Sequence, residues 1–323
     1  MTVAALRGSS STRPAFWTWI LAGVAICLAA AFWGSDTSDP VGSFILWELR
    51  VPRVLMALLV GSTLSLVGAV YQTILANPLA APSTVGTTAG ATLGALIAVS
   101  AGAASTVGGL PIVAVAAFAG AMGVTLLLTA LATSGRAQVP DILLLGVAIT
   151  LATGAIATGI QYSVDTISLA TAVRWSLGHL PQVGYRGIVL LLPFVLVVMV
   201  VLLSQTRALE ALVGGEERAH AQGVDIPRLR ALCLGGGALG VSACVAWCGP
   251  IAFVGLIVPH LVRRTIASSR RTLLPMSAVC GGFFLVLCDL VARLILPGRE
   301  LPVGVLTAAI GAPTLAWLIA RRR

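Results

Sequence analysis

Arg50 and Arg53 stand three residues apart in the run R-V-P-R. On a helix that spacing lets both guanidiniums project together toward an acidic partner. Asp289 and Arg293 stand four apart, the spacing at which a carboxylate offsets a guanidinium on the same helix face. Glu216, Glu217 and Arg218 open a third polar group, bounded by Gly214–Gly215 on one side and Gly223 on the other. These are recognition chemistries, and nothing beside them can make or break bonds. All 20 basic residues are arginine. Without lysine there is no P-loop lysine to reach a β/γ-phosphate and no Schiff base. The chain shows no G-x-S-x-G, no H-E-x-x-H and no paired carboxylates. His179, His220 and His260 fall on segments that cannot converge, so no metal site is assigned. Cys27, Cys233, Cys244, Cys248, Cys280 and Cys288 all lie in apolar segments and read as small buried residues. No catalytic residue and no cofactor are expected in this chain.

The elements that position these residues are membrane helices. The chain is 58% hydrophobic and 10% charged, with a mean hydropathy of +1.02, which places it outside the range of soluble domains. Ten apolar runs are legible, near 15–34, 54–75, 84–104, 111–133, 141–161, 188–204, 229–248, 251–267, 275–296 and 302–320. Each approaches the roughly 20 residues a membrane helix needs. The eighth is short and contains Pro259. The first follows Arg7 and Arg13 but has no clear small-residue cleavage site, so it reads as a retained helix. The predicted fold class is all-α and polytopic, with residues 1–323 as a single transmembrane domain. With both termini inside, fourteen arginines fall on the inner side and six on the outer. Arg50, Arg53, Arg174, Arg186, Arg293 and Arg299 make up the outer set. The polar segment 205–230 is then internal. Its helical stretch should start after Gly214–Gly215 and stop near Gly223, with Pro227 opening the next helix.

Four separated motifs stand in order along the chain. They are E-L-R-V-P-R-V-L-M-A at 48–57, N-P-L-A-A-P-S-T-V-G at 77–86, G-P-I-A-F-V-G-L-I-V-P-H-L-V-R at 249–263, and E-L-P-V-G-V-L-T-A-A-I-G-A-P at 300–313. In these the chain resembles the permease subunits of the iron-siderophore, haem and cobalamin ABC importers, the FecCD family. The resemblance covers about residues 48–320 and implies the type II importer permease fold of ten helices. It implies a second permease subunit, identical or a sister chain, two cytoplasmic ATPase subunits that bind the ATP and Mg, and an external substrate-binding protein. It places the chain in the bacterial cytoplasmic (inner) membrane. The matching arginines, Arg50 and Arg53, would receive glutamates of the binding protein. Arg293 would be the third docking arginine, with Arg299 a nearby alternative. The matching asparagine, Asn77, would form part of a cytoplasmic gate. The coupling helix would be the segment holding Glu216, Glu217, Arg218, Ala219, Gln222 and Gly223. There the stretch A-H-A-Q-G, residues 219–223, carries Gln222 where the family pattern has leucine.

The 77–86 segment leans toward a ferric siderophore as cargo, with haem or cobalamin as alternatives. An ion-coupled secondary transporter is the competing class. It would call for intramembrane acids and an inverted repeat. Asp141 and Asp289 lie near the ends of their runs, and no repeat is visible. Because Arg50 and Arg53 are read as interfacial, reversing their charges is expected to leave membrane insertion intact.

Overall fold

A computed structural model describes residues 12–33, 40–83, 86–102, 106–107, 110–133, 139–182, 184–266, 269–296 and 300–320. Arg7, Arg136, Arg299 and Arg321–Arg323 lie outside them.

Every one of the ten apolar runs contains a helix. The chain begins with α1 (Thr12–Phe32). The short α2 (Pro40–Phe44) passes through a π-helical turn, Ile45–Arg50, into α3 (Val51–Ile74). Pro52 sits in the first turn of α3, where a missing N–H costs little. Then come α4 (Thr87–Ser100), a two-residue antiparallel ladder of β1 (Thr106–Val107) with β2 (Leu110–Pro111), α5 (Ile112–Thr133) and α6 (Val139–Ser163). The short α7 (Thr166–Ser176) precedes α8 (Gly184–Ser204). Two further short helices, α9 (Thr206–Leu212) and α10 (Glu216–Ala221), separate α8 from α11 (Ile226–Cys248). The chain closes with α12 (Val254–Thr265), α13 (Arg270–Ile295) and α14 (Val303–Ala320).

Six of these segments are long and apolar enough to cross a membrane: Pro40–Ile74, Ile112–Leu131, Pro140–Ser163, Gly184–Ser204, Ile226–Cys248 and Arg270–Ile295. Trp17–Phe32, Thr87–Ser100 and Val303–Trp317 are apolar but shorter. The expectation of about ten spans is therefore not met by length alone. The eighth run is the clearest departure. Its helix α12 has 12 residues, or about 18 Å at a rise of ~1.5 Å per residue. That is well short of a hydrocarbon core of about 30 Å.

The middle of the bundle is α3, which is buried along most of its length. It packs against α8, α11, α12 and α13. Backbones approach so closely there that only glycine fits. A Cβ on Gly68 would lie 1.8 Å from the Gly255 carbonyl oxygen, and one on Gly61 would lie 2.3 Å from the Gly281 carbonyl oxygen. Small residues give membrane helices the van der Waals contact that apolar burial cannot supply in lipid. The pairings of residue 61 with 281 and of residue 53 with 289 make α3 and α13 antiparallel. The two ends of α3 thus become two separate polar faces of one bundle.

Candidate functional site

At the first end of α3, Arg50, Arg53 and Arg293 line one cavity of about 340 Å³ together with Trp33, Gln182 and Glu300. The three arginines are not equivalent. Arg53 is 7% exposed. Its Nε donates to Asp289 Oδ1 at 3.0 Å, its Nη2 lies 2.8 Å from the same oxygen, and its Nη1 donates to Glu300 Oε2 at 2.7 Å. Arg293 reaches Asp289 Oδ2 at 3.2 Å and donates to the Ala30 carbonyl at 3.0 Å. Arg50 donates to the Trp33 carbonyl at 2.5 Å and remains half-buried at the rim. Asp289, 1% exposed, is the hinge of this network, since its two oxygens serve two helices.

The i,i+4 pair of Asp289 and Arg293 was readable in the sequence. The partnership of Arg53 with Asp289 and Glu300 was not, because no local spacing signals it. This changes the expectation for charge reversal. A carboxylate at position 53 would meet Asp289 and Glu300 in a buried site, so Arg53→Glu attacks the fold itself. Arg50 takes no part in the pairing of Arg53 with Asp289 and Glu300.

Beside this rim a second cavity, of about 660 Å³, is lined by Arg53, Arg174, His179, Glu300 and the 301–303 turn. Three segments meet here. The His179 N–H donates to the Cys248 carbonyl at 2.7 Å, and the Gly304 N–H donates to the Gly178 carbonyl at 3.1 Å. Burial first, and then the positive charge of Arg53, lower the His179 imidazole below its ordinary value. The fold therefore favours neutral His179. That contribution is complete above the ordinary imidazole value and is lost as pH falls through the lowered one.

At the other end of α3, Gln72 is buried between two elements. Its Nε2 donates to the carbonyls of Gly255 and Leu256 at 3.2 and 3.3 Å, and its Oε1 accepts from Arg263 Nη2 at 3.1 Å. Asn77 follows in the turn. Its side-chain oxygen accepts from the Leu79 N–H at 2.9 Å, and its carbonyl accepts from the Ala80 N–H at 3.0 Å. Asn77 thus fixes the shape of the turn from within, and Gln72 fastens that turn to α12.

The same end carries α9 and α10. Gly215 has φ +102° and Gly223 φ +79°, conformations that side-chain-bearing residues rarely adopt. These two glycines set the bounds of α10 where the sequence placed them. Ala219 is fully buried and anchors the short helix. Glu217, Arg218 and Gln222 are exposed. Glu216 pairs with Arg230 at 2.6 Å, which ties α10 to α11. Asp225 caps α11 by accepting from the Arg228 N–H at 3.0 Å. His220 lies on α10, His179 beside the opposite rim and His260 on α12, so the histidines stay apart.

A helical membrane bundle with a charged recessed rim at one end and a short polar helical arm at the other fits a transport permease. The chain belongs to the FecCD transport family, whose model matches residues 10–321. It is 40% identical over 278 residues to the vitamin B12 import system permease protein BtuC of Vibrio cholerae, covering 86% of this chain and 83% of that protein. It is 38% identical to the Fe(3+) dicitrate transport system permease protein FecD of Escherichia coli, covering 87% and 86%. It is 34% identical to the hemin transport system permease protein HmuU of Yersinia pestis, covering 90% and 87%. Its fold matches a solved inward-facing structure of an ABC transporter assigned to the metal-chelate type. That match has a TM-score of 0.86 and 28% identity, over 96% of this chain and 99% of that one.

Proposed function

We propose that this chain is the membrane-spanning subunit of an ABC importer that moves a metal chelate inward, with a second permease chain completing a central pathway. Two cytoplasmic ATPase subunits supply the energy, and an external binding protein delivers cargo to the Arg50 face. The carrying observation is the whole-length family match on a chain that has no lysine for a P-loop. In this reading the Arg50 rim is external, the α10 arm is cytoplasmic, and both termini are internal. The distribution of arginines supports that orientation. A reporter fused after Arg323 should be active only in the cytoplasm, and periplasmic activity would reverse the topology.

Alternating access needs two packings of modest energy difference, each favoured by a different ligand state. In this reading the glycine seams of α3 against α12 and α13 are the surfaces that shift between the two packings. Asn77 joins this reading as a gate residue, supported by its position beside the Gln72–Arg263 fastening.

The relatives name several cargoes. The 77–86 segment favours a ferric siderophore, and the 40% identity to a vitamin B12 permease favours cobalamin as a second reading. Reconstitution with its ATPase and binding protein tests the whole proposal. ATP hydrolysis should require the ATPase subunit, and uptake should follow one of ferric siderophore, cobalamin or haem. Hydrolysis by the purified chain alone, or uptake driven by an ion gradient without ATP, would refute the importer reading. In the same assay, normal transport by Asn77→Leu would remove Asn77 from the gate.

A further inference from the structure

The α10 arm borders a further polar cavity that its expected role does not explain. About 540 Å³ in volume, it lies between α9, α10 and the start of α13. Arg207, Arg218 and Arg271 line it, along with Gln222 and Glu210. All three arginines are exposed, and none forms an ion pair among the described residues. Arg218 folds back over Gly214, where a Cβ would come within 2.8 Å of its Cδ. Glu210 is the one carboxylate in the wall, and it is engaged elsewhere. Its Oε2 accepts from the Arg270 N–H at 2.5 Å and from Ser269 Oγ at 3.1 Å. The wall therefore holds three exposed guanidiniums without a carboxylate partner among the described residues, a lining that favours an acidic occupant.

Gln222 belongs to this wall. Its amide makes this face of the arm polar as well as cationic. We infer that the cavity between α9, α10 and α13 seats acidic side chains of the ATPase subunit, and that this permease grips its motor by charge. The inference rests on the coupling role proposed above and adds the chemistry of the contact. The mixed charge of the arm favours a protein occupant over an anionic bilayer. Glu217 is exposed on α10, and Glu216 is 57% exposed despite its pairing with Arg230. Both would repel lipid phosphates at the point where the arginines would attract them. Planar guanidiniums also suit bidentate recognition of carboxylates.

The test titrates the purified cognate ATPase subunit onto the permease in nanodiscs, at low and physiological salt, with and without an anionic phospholipid. Arg207→Glu with Arg271→Glu should weaken binding by about tenfold or more and flatten its salt dependence, whatever the lipid. Arg207→Gln with Arg271→Gln should give a smaller loss in the same direction, which guards against a reversal variant that misfolds. Unchanged affinity and salt dependence in both variants would overturn the inference while leaving the coupling role intact. An effect seen only with the anionic phospholipid would also overturn it, and would assign the cavity to a lipid headgroup. An ATPase that fails to bind even the unmodified permease would instead bring down the parent reading, and this inference with it.

Discussion

Arg53→Ala is expected to destabilise the folded bundle by about 3–5 kcal/mol, the range for breaking a buried ion pair by removing one partner. The size follows from what is left behind. Asp289 is 1% exposed, and without Arg53 it keeps only Arg293 on its own helix. Glu300 loses its 2.7 Å partner, so the turn leading into α14 is released from α3 as well. Thermal or denaturant unfolding in detergent measures the effect, with Arg50→Ala as the comparison. Arg50 is half-buried at the rim, and neither Asp289 nor Glu300 pairs with it, so its loss should cost far less. The proposed docking role divides along the same line. Arg50→Ala should leave the fold intact and slow association with the binding protein, most visibly at low salt. Equal stability of the Arg53 and Arg50 variants would show that the Arg53 network contributes nothing net to the fold.

Ala219→Pro is expected to reduce transport to near background while the bundle stays folded. Proline at 219 removes the bond from the Ala219 N–H to the Gly215 carbonyl, 3.0 Å long, and sets its ring against the preceding turn. In a helix interior that substitution costs ~3 kcal/mol. A six-residue helix cannot absorb such a loss, so α10 should unravel between its two glycines. The damage should stay local, because the transmembrane helices do not rely on α10 for their own backbone bonds. Cargo delivery at the Arg50 face should persist. ATPase activity should lose its response to the binding protein, or the ATPase should dissociate. Wild-type transport and coupling in Ala219→Pro would show that force enters elsewhere, with residues 264–274 the next segment to test.

Composition alone made the helical membrane character of this chain readable, because insertion into a bilayer is governed by hydropathy summed over windows of about 20 residues. Each of the ten apolar runs contains a helix, although among the described residues only six segments are long and apolar enough to cross. The bounds of α10 were equally readable, since Gly215 and Gly223 adopt backbone angles that suit glycine, and Pro227 sits in the first turn of α11. The Asp289–Arg293 pair was local to one helix and followed from its spacing.

Contacts between distant parts of the chain were a different matter. Arg53 meets Glu300 across 247 positions and Asp289 across 236, and it became a buried structural cation where its motif suggested an interfacial one. Arg263 reaches Gln72 across 191 positions. The cationic cavity draws on α9, α10 and α13, which no single motif unites. Such pairings depend on how closely the glycine seams let helices approach, and on which ends then coincide. A pattern of local spacings carries no record of either, so they emerge only once the helices are packed.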